Sequence, residues 1–279
     1  MDADVLRISS SLRQRTLTAF VLGPLVIAAV LWLPTPVFAL FFGAIVLGAG
    51  WEWCGLAGID GVARRLVYLG LIGVCLGLLW PHADWRLWLV GISIPWWIFQ
   101  SARMLRMREI EPSSGFQPLL LPVGLLVLVA PWAALVDLHR IPHVGPALVL
   151  FLMVVIWTAD SLAYFVGRRW GRAKLAPAVS PGKTLAGVYG GVVGAALCGL
   201  LFAWHQSLGF GATLLVLLVC GGSALISVVG DLYESFLKRR RGVKDSSQLL
   251  PGHGGLLDRI DSLTAAAPLF ALGMTWALM

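Results

Sequence analysis

Between Asp231 and Asp261 the chain reads DLYESFLKRRRGVKDSSQLLPGHGGLLDRID, which gathers eleven Asp, Glu, Lys and Arg residues, one histidine and a glycine-rich turn. Asp258 and Asp261 stand three apart and share one face of a helix, and Asp231 closes the apolar run that comes before. Three carboxylates brought together repel and are driven toward protonation unless a cation joins them. A hard divalent ion with oxygen ligands resolves that conflict, so Asp231, Asp258 and Asp261 are expected to hold magnesium, with a second metal ion left open. In the turn, Gly252, Gly254 and Gly255 allow backbone amides to approach an anion, and the helix start that follows adds a favourable dipole. His253 is suited to donate to a phosphate oxygen, to move a proton, or simply to bond the turn's own backbone. Lys238, Arg239 and Lys244 are read as facing a ligand, while Arg240 and Arg241 form a surface run attracted to anionic headgroups. Arg259 lies about 100° round the helix from Asp258 and is either a second phosphate clamp or the aspartates' own partner. Acids that hold a metal beside groups that hold phosphates point to phosphate chemistry.

A second polar stretch, residues 157–191, reads WTADSLAYFVGRRWGRAKLAPAVSPGKTLAGVYGG. Asp160 falls inside an apolar run, where an unpaired acid is expensive, so it is expected to face a polar cavity. Ser180-Pro181-Gly182-Lys183-Thr184 looks like the tail of a nucleotide-binding P-loop, but the upstream glycine and the preceding strand are absent, which excludes that motif. Lys174, Lys183 and Thr184 remain sensible phosphate contacts from the same side.

The elements that must position these residues are membrane helices. The chain is 58% hydrophobic and only 13% charged, against about 25% charged in an ordinary soluble domain. Apolar stretches of crossing length lie near 17–33, 36–51, 66–80, 85–99, 118–136, 146–166, 185–205, 209–230 and 262–279. The fold class is therefore all-α, a polytopic membrane protein of about nine transmembrane helices. With a cytoplasmic N-terminus, 19 of the 21 lysines and arginines fall inside, as the positive-inside rule requires. The net charge of +7 is then a topology signal, and no soluble basic domain exists to bind nucleic acid. The first apolar run lacks a small-residue cleavage pattern and is not read as a signal peptide. Cys54, Cys75, Cys198 and Cys220 lie singly and are read as packing residues. Trp32, Trp51, Trp53, Trp80, Trp85 and Trp170 are read as interfacial anchors. Residues 101–117 are expected to form a short amphipathic interfacial helix. Residues 1–140 form a scaffold and 141–279 a catalytic region with cytoplasmic loops at 167–184 and 231–261. No inverted repeat of the transporter kind is visible.

The run SxxLKRxxxxKDSSxLLPGHGGxLDRxD from Ser235 to Asp261 resembles the signature of the phosphatidate cytidylyltransferases. The likeness continues in Ser227-Val228-Val229-Gly230-Asp231, in Asp160-Ser161-Leu162-Ala163-Tyr164 with Gly167, and in Lys174-Leu175-Ala176-Pro177 with Ser180-Pro181. Arg15-Thr16 and Trp51-Glu52-Trp53 are similar as well. The chain departs from the family at Gly182, where a lysine is usual, and at Ala186, where a glutamate is common. The resemblance implies that CTP and phosphatidate give CDP-diacylglycerol and pyrophosphate, by in-line attack of the lipid phosphate on the α-phosphorus. It brings Ser180, Ser235 and Asp245 into the expected site. It also implies an inner-membrane protein with its site on the cytoplasmic side, with homodimerisation left open. A CTP-dependent lipid kinase and a transporter are the rival readings.

Overall fold

A computed structural model of the protein describes residue 18, residues 20–250, residue 252 and residues 254–278. Among them the elements are helices α1 (Phe20–Trp32), α2 (Thr35–Ala57), α3 (Val62–Leu79), α4 (Ala83–Arg106), α5 (Leu120–His139) and α6 (Gly145–Trp170). A two-stranded antiparallel hairpin follows, β1 (Lys174–Ala176) and β2 (Ser180–Thr184), then α7 (Leu185–His205), α8 (Phe210–Arg240) and α9 (Leu257–Ala277). Each expected span falls on one helix. Six helices (α2, α3, α5, α6, α7 and α8) are long and apolar enough to cross a membrane. Large apolar side chains such as Leu40, Val67, Trp88, Leu197 and Leu218 lie exposed on the helix flanks. That surface would be a liability in water and suits lipid. The protein is a multi-pass membrane protein.

Four expectations need correcting. The fold is helical but not purely so: the 167–184 loop folds its second part into the β1–β2 hairpin. Residues 101–106 continue α4, and 107–119 form irregular backbone rather than an interfacial helix. That segment is fastened instead: Ser113 N–H donates to Arg240 O at 2.7 Å and Gln117 N–H to Ala57 O at 2.9 Å. Arg241, read as a surface cation, donates through Nε to Leu56 O at 2.7 Å and through Nη1 to Ser113 O at 3.1 Å. It ties the 107–119 segment to a carbonyl at the end of α2, which Gly58 terminates in the left-handed conformation (φ 74°). Trp53 is another reversal. It is 1% exposed and donates to Leu120 O at 2.8 Å, so it is a core residue and no anchor. The four cysteines are free, as expected of packing residues.

Small residues set how closely the carboxyl-terminal helices approach. Gly187 and Gly191 of α7 face the backbone of Ala163 and Ala159 of α6, leaving no room for a side chain. Between α8 and α9 the backbones come close at Gly230: a Cβ there would lie 2.3 Å from Asp261 O. Helix association in lipid depends on such close backbone packing. Here it has a chemical consequence, because Asp231 and Asp261 flank that crossing.

Candidate active site at the α8–α9 crossing

The carboxyl end of α8, the amino end of α9, the carboxyl end of α2 and the β1–β2 hairpin meet at one end of the bundle. From α8, Asp231 pairs with Lys183 of β2 at 2.8 Å, and Ser235 Oγ donates to Asp231 Oδ1 at 3.2 Å. One and two turns on, Glu234 and Lys238 pair at 3.1 Å, and Lys238 reaches across to Asp258 of α9 at 2.5 Å. Asp261 lies within Coulombic reach of Asp231 and Lys183. Asp160, exposed on α6, is within reach of the same two groups. Two ion-paired sets, Lys183 with Asp231 and Lys238 with Glu234 and Asp258, thus stand at one end of the bundle, with Asp160 and Asp261 beside the first. Glu234 is 4% exposed, and its Oε1 has no hydrogen-bond partner among the described residues.

Asp258 behaves differently from the other acids. Its Oδ2 accepts from Gly255 N–H at 2.7 Å, Ser246 N–H at 3.0 Å and Ser246 Oγ at 2.9 Å. It precedes the apolar stretch of α9. Burial opposes its charge, yet the Lys238 ammonium and the amides of Gly255 and Ser246 outweigh that opposition and hold the carboxyl down at about 2. Both oxygens of Asp258 are engaged by other partners, and it does not join Asp231 and Asp261 in the expected three-aspartate cluster. Among the described residues no group of three or more His, Cys, Asp or Glu is arranged to hold a metal ion. The physical reason is Lys238, which captures Asp258 as its own counterion. What survives is a pair, Asp231 and Asp261, with the unpartnered Glu234 oxygen buried nearby. These are hard oxygen donors with an excess of negative charge, the donor set that suits magnesium.

The glycine-rich turn is also occupied from within. The amides at the start of α9 were expected to meet a phosphate, but Leu256 and Leu257 donate to Glu52 at 2.9 and 2.7 Å, and Gly255 donates to Asp258. A helix N-terminus attracts the nearest anion, and here the protein supplies two. Gly254 (φ 80°) and Gly252 (φ 75°) adopt the left-handed conformation that favours glycine. His253 lies outside the described residues. Arg239, Lys244, Asp245, Arg259 and Lys174 are exposed around the rim, and Ser180 is half-buried in β2. Thr184 is buried and caps α7, accepting from Gly187 N–H at 3.1 Å, so its hydroxyl is committed to the fold.

Sequence reasoning passed over Glu52, Glu234 and Ser246 as site residues. Two carried a signal: Glu52 is an acid between two tryptophans in an apolar helix, and Glu234 stands four residues before Lys238 on the same face.

A cytidylyltransferase family model matches residues 13–276. The phosphatidate cytidylyltransferase of Pseudomonas aeruginosa is 41% identical over 95% of this chain and 97% of its own length. That of Haemophilus influenzae is 37% identical over 93% of this chain and 97% of its own. That of Thermotoga maritima is 30% identical over 92% and 94%.

Proposed function

The chain belongs to the cytidylyltransferase family, and on that premise we propose that it joins CTP to phosphatidate, giving CDP-diacylglycerol and pyrophosphate. The observation that carries this reading is the gathering of acids and lysines, from Asp160 and Lys183 to Lys238 and Asp258, at one end of an otherwise apolar bundle. The lipid phosphate is itself the nucleophile. One of its oxygens bonds the α-phosphorus of CTP as the bond to the β-bridging oxygen breaks, and pyrophosphate leaves with that electron pair. No side chain need be activated, so the protein's work is alignment and charge stabilisation. Lys183 and Lys238 are lent by their carboxylate partners to incoming phosphates. Arg239, Lys244 and Arg259 at the rim take the outer phosphates of CTP, and Asp160 lines the side from which the lipid enters. Asp231 and Asp261 would hold magnesium, which would offset the charge gathering on the α-phosphate and the departing pyrophosphate.

The same reading sets the topology. The chain crosses the bilayer nine times with its N-terminus in the cytoplasm, so that Lys183, the α8 end and the glycine-rich turn face cytoplasmic CTP. The cationic rim there accords with the positive-inside rule.

Purified full-length protein given CTP and phosphatidate should release pyrophosphate and CDP-diacylglycerol in equal amounts, and lose activity when magnesium is chelated. Release of CDP with a doubly phosphorylated lipid would instead establish a kinase. Uptake of a solute into sealed vesicles without CTP consumption would establish a transporter.

A further inference from the structure

We propose that Glu52 is a positioning residue of this site, through which the amino-terminal half of the chain fixes the glycine-rich turn. The inference rests on the transferase reading above. Glu52 sits near the end of α2 and is 3% exposed. Its carboxylate receives four hydrogen bonds, all from the 246–257 segment. Oε1 accepts from Ser247 Oγ at 2.6 Å and Leu256 N–H at 2.9 Å. Oε2 accepts from Leu257 N–H at 2.7 Å and, at 3.0 Å, shares the single hydroxyl proton of Ser246 with Asp258 Oδ2. Each oxygen therefore binds one hydroxyl from the limb entering the turn and one amide from the limb leaving it, which staples the two limbs together. The fit is close: a Cβ on Gly255 would lie 2.6 Å from Oε2.

The staple also leads to the charged run. Ser246 Oγ lies 2.9 Å from Asp258 Oδ2 as well, and Asp258 holds Lys238. A shift of the turn is thus passed through Ser246 and Asp258 to the ammonium that meets the nucleotide. The carboxylate is matched to its donors in a way glutamine cannot copy. Only an acceptor-only group satisfies two donors on each oxygen, whereas the NH2 of Gln would point its hydrogens at two of them.

The test compares Glu52→Gln, Glu52→Ala and Ser247→Ala in the full-length chain, with steady-state kinetics in CTP and in phosphatidate. A small misplacement remote from the reacting atoms costs about 10- to 100-fold in rate. Glu52→Gln and Glu52→Ala should lose about that much in kcat/KM for CTP, with KM for phosphatidate unchanged because Lys183 and Asp160 do not depend on the staple. Ser247→Ala, which removes one of the four bonds, should lose less in the same direction. Trypsin should also cut after the exposed Lys244 faster in all three variants. Normal kcat/KM for CTP in Glu52→Gln would overturn the proposal. So would losses falling equally on both substrates in step with the yield of folded protein. If both Glu52 variants fail to insert, Ser247→Ala decides alone, and unchanged CTP kinetics there would overturn it. Unaltered product formation is first required of the wild-type protein; its failure would sink the transferase reading, and unchanged trypsin cleavage at Lys244 would then separately sink the staple.

Discussion

Two polar clusters lie at opposite ends of this bundle, and they were built on different terms. At the α4–α5 end, Arg86 is 1% exposed and donates to Asp137 at 2.6 Å, Leu79 O at 2.7 Å and Trp80 O at 2.7 Å. Arg140 donates to Trp80 O at 3.1 Å and lies over the Trp80 ring at 4.0 Å. Donors and acceptors there are matched, and the cluster closes on itself. At the α8–α9 end, among the described residues, Asp231, Glu234 and Asp258 pair with Lys183 and Lys238, Asp160 and Asp261 add further carboxylates, and one buried Glu234 oxygen has no hydrogen-bond partner. Both clusters bear the cost of taking charge out of water. Burial therefore does not mark the site. Unbalanced charge does, because surplus carboxylate is tolerated where cations and phosphates arrive to complete it.

The sharpest break in that comparison is to remove charge from each end in turn. Asp261→Asn should cut turnover by about 10³-fold, the scale on which phosphoryl-transfer electrostatics act, while the melting temperature in detergent holds. Full turnover at saturating magnesium would show that the excess charge has no catalytic use. Arg86→Met should do the reverse. Asp137 is 36% exposed, so its loss of the pair is partly met by solvent, and the change costs about 1–3 kcal/mol through the donors lost to Leu79 O and Trp80 O, seen as a lower thermal midpoint, with normal activity per folded molecule. Adding Asp137→Leu should recover part of the loss, since apolar packing replaces such pairs at little cost. A smaller effect is expected of Lys183→Met. Its pair with Asp231 is partly exposed (23% and 34%), so stability should move by under about 1 kcal/mol, while KM for CTP or phosphatidate rises about tenfold for a lost charged contact. Equal loss of stability and activity would place Lys183 with the structural cluster.

Much of this was legible in the chain itself. Apolar runs of crossing length become helices because lipid offers the backbone no other partner, and each expected span lies on a helix. The aspartates and lysines of 231–261 announced themselves by their rarity in apolar sequence. What composition could not give was pairing. Nothing in the spacing of Lys238 and Asp258 says that they join across two helices, or that Lys183 on a hairpin turns to Asp231. Arg241 looked like part of a basic run, and only the path of 107–119 reveals it as a clasp. Glu52 is separated from the turn it binds by some two hundred residues, a contact that local pattern cannot encode.

The mildest test probes whether the closed end stays silent in catalysis. His139 Nε2 faces Val30 O at 3.0 Å and Nδ1 faces Thr35 Oγ1 at 3.0 Å, with the ring stacked on Phe38 at 4.0 Å. A carbonyl only accepts, so Nε2 carries the proton and Nδ1 of the neutral ring accepts from the threonine hydroxyl. Thr35→Val keeps the shape and removes that donor, leaving Nδ1 unpaired among apolar neighbours at a cost of about 1 kcal/mol. The thermal midpoint should fall slightly while kcat and both KM values stay as they were. The helices that carry His139 and Thr35 also lead to the other end, α2 directly through Glu52. A drop in kcat from so small a change would mean that the two ends are coupled along α2, and that the division between a closed structural cluster and an open catalytic one is false.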